Sequence, residues 1–560
     1  MALSLSRLLR RLLVTLVLAV CGSVAMAPAA TTETADASAE EDAATADTLR
    51  FDIWEYRVTG VTLVEARAIE KAVYAHLGPD RTIEDVEAAA LAVETVYKDA
   101  GYGATIFVNI PEQDVAEGLV VLDVTEGTVE RLRVTGSRYF DLDRIKAKVP
   151  ALAPGEAPHL PSMQEQLTAL NAASANRRVT PVLRPARSVG MVDVDLEVED
   201  RFPLHGGLEF TNQYVRDTSE TRLSGDLRYE NLWQREHSIG FSFQLTPEDP
   251  NEVRVFSGTY LLRPEDSNWL LAAYGVKSDS DVTAFSGDAA GGIGVLGRGF
   301  VVGARAIRPL PALHGLISNI TFGFDYKDFD DEISVAGSSE SIFNPVSYYK
   351  FVAGWGGMRA FDRFDLRYNL DLHFSTRELG NSDRVEISGI EVSEFSNKRA
   401  FARSNFVYLR SEFSLTHAMP WESALRFGFL GQLASVALIS NEQLSVGGVD
   451  TVHGYFESQT LADNAAVISV KWTSPSLHQH LPGDLFQDVR LFAFSEGARA
   501  MLIDPLPGSD AGWGLASLGF GMQTGGRGFG SELIWAWPLI DAEGVDAYDP
   551  RFHWQMSYDF

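Results

Sequence analysis

Residues 552–560 restrict the possible folds of this chain more than any other stretch. Phe552, Trp554, Met556, Tyr558 and Phe560 alternate without a break with His553, Gln555, Ser557 and Asp559, the period of a strand wet on one face and apolar on the other. So aromatic a strand is a poor exposed edge for a soluble protein, because unpaired backbone groups beside apolar side chains template aggregation. A closed transmembrane barrel has no edge. There the final strand pairs with the first, its aromatic face meets lipid and its polar face lines an aqueous lumen. The competing reading of this stretch is a soluble β-sandwich that ends in a strand.

With 560 residues the chain has room for several domains. Beyond its start it carries no uninterrupted apolar run of membrane-helix length, so a membrane would be crossed by strands, whose hydropathy signal is weaker per segment. The net charge of -29 disfavours nucleic acid, which is bound through Lys and Arg. Residues 1–30 read as a secretory signal: Arg7, Arg10 and Arg11 precede the apolar run Leu12 to Val20, and Ala25-Met26-Ala27 offers a cleavage site. The single cysteine, Cys21, falls in this segment, where Val20 is bulkier than a lipoprotein signal prefers. An exported chain cleaved there has no thiol, which excludes disulfides, thiolate metal sites and cysteine nucleophiles. Residues 31–50 mix six carboxylates with Ala and Thr and read as a disordered acidic linker.

From Phe51 one pattern occurs twice. A strand over Phe51 to Val58 ends in Val58-Thr59-Gly60, and one over Val129 to Val134 ends in Val134-Thr135-Gly136. After the first, a helix is expected around residues 63–77. A second helix follows, in which Ile83, Val86, Ala90, Val93, Tyr97 and Ala100 form one apolar stripe, closed by Gly101. Strands at Ala104 to Ile110 and Leu119 to Thr125 complete the unit. The second unit repeats this order with helices near 141–149 and 160–174 and strands Val179 to Arg184 and Val192 to Val198.

Ala100-Gly101-Tyr102, Ile110-Pro111-Glu112-Gln113-Asp114-Val115, Gly118 and Val124-Thr125-Glu126-Gly127 resemble the first POTRA domain of the two-partner-secretion exporters that release haemolysins and filamentous adhesins. Val194-Asp195-Leu196, Asp200 and Pro203 resemble the end of the second. The resemblance implies two small α+β POTRA-like domains, 51–127 and 128–202, ahead of a transmembrane β-barrel of about sixteen antiparallel strands over 203–560. It places the protein in the bacterial outer membrane with the POTRA domains in the periplasm. The terminal strand, with Trp554, Tyr558 and Phe560, resembles the signal that outer-membrane barrels present to the barrel-assembly machinery. A sheet covered by two helices leaves one strand edge open to an added client strand, and the strand with Ile106, Val108 and Ile110 is the candidate.

Period-two strands continue through residues 203–560, as in Leu366 to Phe374 and Ile320 to Tyr326, with turn-rich stretches such as Thr246 to Asn251 between them. Sixteen strands leave an aqueous channel. Gly447-Gly448-Val449-Asp450-Thr451-Val452-His453-Gly454-Tyr455 resembles the family's lumen loop, with His453 where the family has Arg. The family's Arg is held by the Asp of a lumen-facing Phe-x-Asp-x-Gly, and Ala493-Phe494-Ser495-Glu496-Gly497 offers Ser495 there. On this alignment both halves of the ion pair are missing. If the strand is regular, Ser495 and Gly497 face the lumen and Phe492, Phe494 and Glu496 face lipid. Ser495 is then the expected partner of His453, and a β-bulge would be needed to bring in Glu496. Family exporters also carry a pore-plugging helix ahead of the first POTRA domain, for which residues 31–50 are short and polar.

The function expected from the resemblance is export of a secreted client protein through the barrel. An outer-membrane assembly or insertion factor of the same superfamily is the alternative, and a passive porin is a third reading. Catalysis would need a nucleophile fixed beside a base, which spacing does not establish for His373 or His417. No cofactor, no metal and no nucleic acid are expected; the expected partners are the client, the assembly machinery and the lipid bilayer. A neighbouring reading frame for a large secreted protein with a β-helical repeat would support the exporter.

Overall fold

The computed structural model describes residues 50–103, 105–115, 117–188, 190–264, 267–280, 283–286, 293–334, 341–376, 384–387, 390–478 and 486–560. The expected signal segment, the rest of the acidic linker and any plugging helix within it lie outside these residues. The chain divides into two compact units: residues up to Val96 with Val108–Val124, and Tyr97–Phe107 with Thr125–Phe560.

Over residues 51–127, Glu55–Thr59 runs parallel to Leu119–Glu126, with Ile106–Asn109 on the other flank of that central strand. Helices Ala66–Val73 and Ile83–Asp99 bury Ile69, Val73, Val86, Ala90 and Val93. The stripe read from the sequence is therefore buried along its middle, while Ile83 at its start is exposed. The expected single strand from Phe51 is broken at Trp54, because the Trp54 and Glu55 amides both converge on the Gly118 carbonyl, at 2.8 and 3.1 Å. Its first part, Phe51–Ile53, pairs instead with Gly78–Arg81, a strand that the sequence pattern does not announce.

The second unit begins with a sheet of order Thr128–Thr135, Met191–Asp200, Arg177–Pro185, the first pair parallel and the second antiparallel. Helices Leu142–Ala147 and Leu160–Ala172 cover it. Ile145, Leu152, Leu167 and Leu170 pack there against Val194 and Leu196.

Sixteen strands among the described residues then close a barrel, each antiparallel to its neighbours. They are β1 Leu204–Thr211, β2 Arg222–Leu232, β3 His237–Leu245, β4 Val253–Leu262, β5 Leu270–Ser280, β6 Gly299–Pro309, β7 Leu316–Ser334 and β8 Ser341–Ala360, followed by β9 Phe364–Ser375, β10 Phe406–Ala418, β11 Ala424–Ala434, β12 Asn464–Thr473, β13 Asp488–Met501, β14 Gly512–Gly526, β15 Phe529–Pro538 and β16 Arg551–Asp559. The seam pairs Gln555 with Thr211 through to Asp559 with Gly207, and Phe560 and Gly206 exchange both backbone hydrogen bonds. Beyond Thr211 the Asn212 side chain takes over the ladder, donating to the Phe552 carbonyl and accepting from the Trp554 amide, each at 2.8 Å. Phe552, Met556, Tyr558 and Phe560 are exposed on the outer wall while His553 is buried in the lumen, as the alternation of β16 requires.

Candidate functional site in the barrel lumen

Residues 435–463, between β11 and β12, fold back into the lumen. The Leu444–Val446 and Thr460–Ala462 segments pair as a short ribbon. Val446, Val452, Tyr455 and Ala462 pack against lumen-side Ala465, Val467, Ala500 and Leu515. The glycines expected here have a clear physical role. Gly447, Gly448 and Gly454 all adopt positive φ. A Cβ on Gly448 would overlap the Glu457 carboxylate, which accepts the Val449 amide at 2.9 Å.

At the loop tip, His453 meets Glu496. Its backbone amide donates to Oε2 at 2.8 Å, and its Nδ1 lies 2.9 Å from Oε2 and 3.0 Å from Oε1. The Gly454 amide donates to His553 Nε2 at 3.2 Å. The Tyr455 hydroxyl reaches the carbonyls of Ala516 and Ile540 at 3.0 and 2.8 Å. This arrangement corrects the expectation that Ser495 holds His453. Along β13 it is Phe492, Phe494 and Glu496 that face inward, while Ser495 is exposed on the outer wall with Gly497 at the same parity. The pairing to both neighbours is continuous, so no bulge is involved. The aromatic residues suggested a lipid-facing set, but the loop gives them apolar company inside. Phe494 lies 4.5 Å from the His453 ring, and Phe492 and Phe494 pack with Ile534 and Ala536. The acidic half of the expected pair is thus present as Glu496, one residue beyond Ser495.

The loop root carries two contacts that sequence patterns did not indicate. Glu442 accepts hydrogen bonds from Lys327 Nζ, Tyr348 Oη and Tyr408 Oη, each at 2.6 Å, and from Lys350 Nζ at 3.2 Å. Asp463 accepts both guanidinium arms of Arg399, at 2.6 and 2.9 Å, together with the Leu438 and Ile503 amides. The available signal was a pair of lysines at the same parity on neighbouring strands: Lys327 stands opposite Tyr348, and Lys350 opposite Asp325.

The remaining expected positions fall as follows. Ile106 is buried, Val108 and Ile110 are half-buried, and Ile110 lies just beyond the strand. The Val108 amide faces the Glu94 carboxylate at 3.4 Å. Gln113 completes the sheet where the backbone cannot. Pro111 has no amide for the ladder, and the Gln113 side chain instead donates to the Val121 carbonyl at 2.9 Å and accepts its amide at 2.6 Å. His373 stacks on Tyr408, and His417 stacks on Phe364.

Charge outside the spanning strands is organised in two places. In the loop, loss of water, with repulsion from Asp450, pushes the Glu457 carboxyl up to about 8, against the opposing pull of the Val449 amide, Arg551 and Arg222. Asp450 is raised too, by loss of water, with His453 opposing. At the β2–β3 turn, Glu236 binds Lys148 at 2.5 Å and Arg177 at 2.9 Å, both on the sheet-and-helix module at the start of the second unit. Burial alone would raise the Glu236 carboxyl, but these two cations hold it below the usual range. Asn231 and Gln234 of the same turn donate to the Tyr139 carbonyl. Both have positive φ, as do Trp233 and Glu236.

A family model for the ShlB-type POTRA domain matches residues 51–127, and one for the haemolysin secretion/activation protein ShlB/FhaC/HecB matches residues 347–484. The outer membrane transporter CdiB of Dickeya dadantii (strain 3937) is 24% identical over 440 residues, covering 74% of this chain and 71% of that protein. In fold the chain is similar to CdiB from Escherichia coli, with TM-score 0.58 and 16% identity over 93% of each chain. It is also similar to BamA from Haemophilus ducreyi lacking POTRA domains 1-3, with TM-score 0.54 and 12% identity over 91% of this chain and all of that one. The match over the first periplasmic module, the match over part of the closed barrel and the transporter relative together support an outer-membrane exporter of the two-partner-secretion type.

Proposed function

We propose that this exporter captures its secreted client unfolded in the periplasm, as a strand added to the edge Ile106–Asn109, and passes it outward through the lumen once the loop at His453 yields. The observation that carries this reading is the loop itself: it occupies the lumen of a closed barrel and is held there by side-chain contacts at Glu442, Asp463 and Glu496. A loop so held is a movable obstruction, whereas a passive porin has no use for two periplasmic modules. The edge strand fits the capture role because backbone hydrogen bonds give affinity for an extended segment regardless of its sequence. Folding of the client outside supplies the driving force, and the chain works as a transporter rather than an enzyme. Trp554, Tyr558 and Phe560 serve the assembly machinery during insertion, and then meet lipid.

The decisive experiment is co-expression with the secreted protein of the neighbouring reading frame, followed by its appearance in the medium. Val108→Pro removes the edge-strand amide that now meets the Glu94 carboxylate and that an added strand would have to take over, and is expected to stop release while leaving the heat-modifiable barrel in the outer membrane. Undiminished release would overturn capture at this edge. The assembly-factor reading predicts instead that other barrel proteins disappear from the outer membrane when the chain is deleted.

A further inference from the structure

We infer that the wall site formed by Lys327, Lys350, Tyr348 and Tyr408 is a carboxylate receptor occupied by the loop's own Glu442, and that this contact, rather than His453 with Glu496, sets the resting position of the loop. The inference rests on reading the loop as the movable obstruction of the pore. The receptor is built on β7, β8 and β10. Neither β7 nor β8 adjoins β11 or β12, where the loop is attached, so the contact ties the loop to a part of the wall it does not grow from. Four donors converge on one carboxylate, and two of them are cations. Glu442 and all four donors are less than a tenth exposed. Buried hydrogen bonds to a charged group are the strong ones. The tip is weaker by the same criteria. Glu496 takes the backbone amide and one ring nitrogen of His453, and an imidazole carries a full charge only when protonated.

The receptor keeps part of its charge pairing without Glu442. Lys350 lies 3.8 Å from Asp325, which Arg305 already binds, so part of the positive charge keeps a partner on the wall. Departure of Glu442 nevertheless leaves Lys327 and two tyrosine hydroxyls without the group they converge on. The opened wall is therefore a cationic, hydroxyl-lined patch that suits a carboxylate side chain of whatever passes.

The test is single-channel recording of the purified full-length protein in planar bilayers without client, which is independent of whether client capture at the POTRA edge holds. Glu442→Gln is expected to raise opening frequency about tenfold or more, the ratio for losing one charge-assisted hydrogen bond, and His453→Ala only about threefold. Tyr348→Phe with Tyr408→Phe removes two donors without unbalancing charge, and is expected to raise opening severalfold even if Glu442→Gln assembles poorly. Acetate separates tethering from neutralisation: it can fill the site in Glu442→Ala but cannot hold the loop, so openings should persist in acetate. Return to wild-type closure in acetate, or wild-type opening in the tyrosine pair alongside frequent opening in His453→Ala, would overturn the inference.

Discussion

His453 and Glu496 are joined twice, through the backbone amide at 2.8 Å and through Nδ1 at 2.9 Å. Since the amide contact does not depend on the side chain, His453→Ala leaves part of the tip in place. His453→Arg is expected to lengthen closed dwell times severalfold, because a guanidinium binds a carboxylate through two parallel charge-assisted bonds. Glu496→Gln should shorten them. Closed times unchanged in both variants would show that the tip contributes nothing to seating.

Acid should close the channel. Glu457, pushed up to about 8, and Asp450, raised in the same direction, hold their protons more tightly in the seated loop than they would in water. Seating therefore takes up protons and weakens as pH rises from the ordinary carboxylate range toward about 8. Openings should be rarer at about pH 5.5 than at about pH 8, and Glu457→Gln should flatten most of that dependence. A channel that opens more often in acid would contradict this.

Glu236→Gln should loosen the second module from the barrel. It leaves Arg177, whose side chain is 3% exposed, beside a neutral amide, at a cost of about 2 kcal/mol or more. The depressed Glu236 carboxyl supplies stability that is present above the ordinary carboxylate range and is lost only as pH falls through its lowered value. The docking should thus persist through the acid range that closes the channel. Faster protease cleavage near Arg201 in the variant is the expected readout, and identical cleavage would count against the clamp.

Gln113→Ala should strip the Val121 amide and carbonyl of their partners. Hydrogen exchange at Val121 is expected to speed up, with a local loss of roughly 1–2 kcal/mol. Unchanged exchange would mean that water replaces the amide without cost.

Phe560→Ser should reduce the amount of assembled barrel without affecting synthesis. The Phe560 ring lies where a Cβ on Gly206 would be, and its backbone bonds extend a seam of five registered pairs. Outer-membrane levels equal to wild type would remove this strand end from the assembly argument.

The barrel was legible in the sequence because lipid on one face and water on the other impose a period of two, and β16 shows both. The lumen loop was legible in its glycines, since positive φ and the space needed by Glu457 leave little choice at Gly448. The parity of β13 was not legible. Phe492 and Phe494 look like lipid-facing residues until a loop from elsewhere in the chain is placed against them. Glu442 was harder still, because its meaning depends on Lys327, Lys350, Tyr348 and Tyr408, which lie on strands far away in sequence. Periodicity reports a residue's own environment, whereas this receptor is a property of four residues brought together by closure of the barrel.

The β7–β8 hairpin pairs nineteen residues from Leu316 with Arg359 to Ser334 with Ser341, whereas the seam between β1 and β16 registers five. At roughly 3.3 Å per residue such strands are about 60 Å long, and even when tilted they stand well above an apolar band about 25 Å tall. The outer rim is therefore a slope, high at β7–β8 and low where Asn212 ends the seam. A chain leaving the pore would meet a parapet on one side and an open sill on the other.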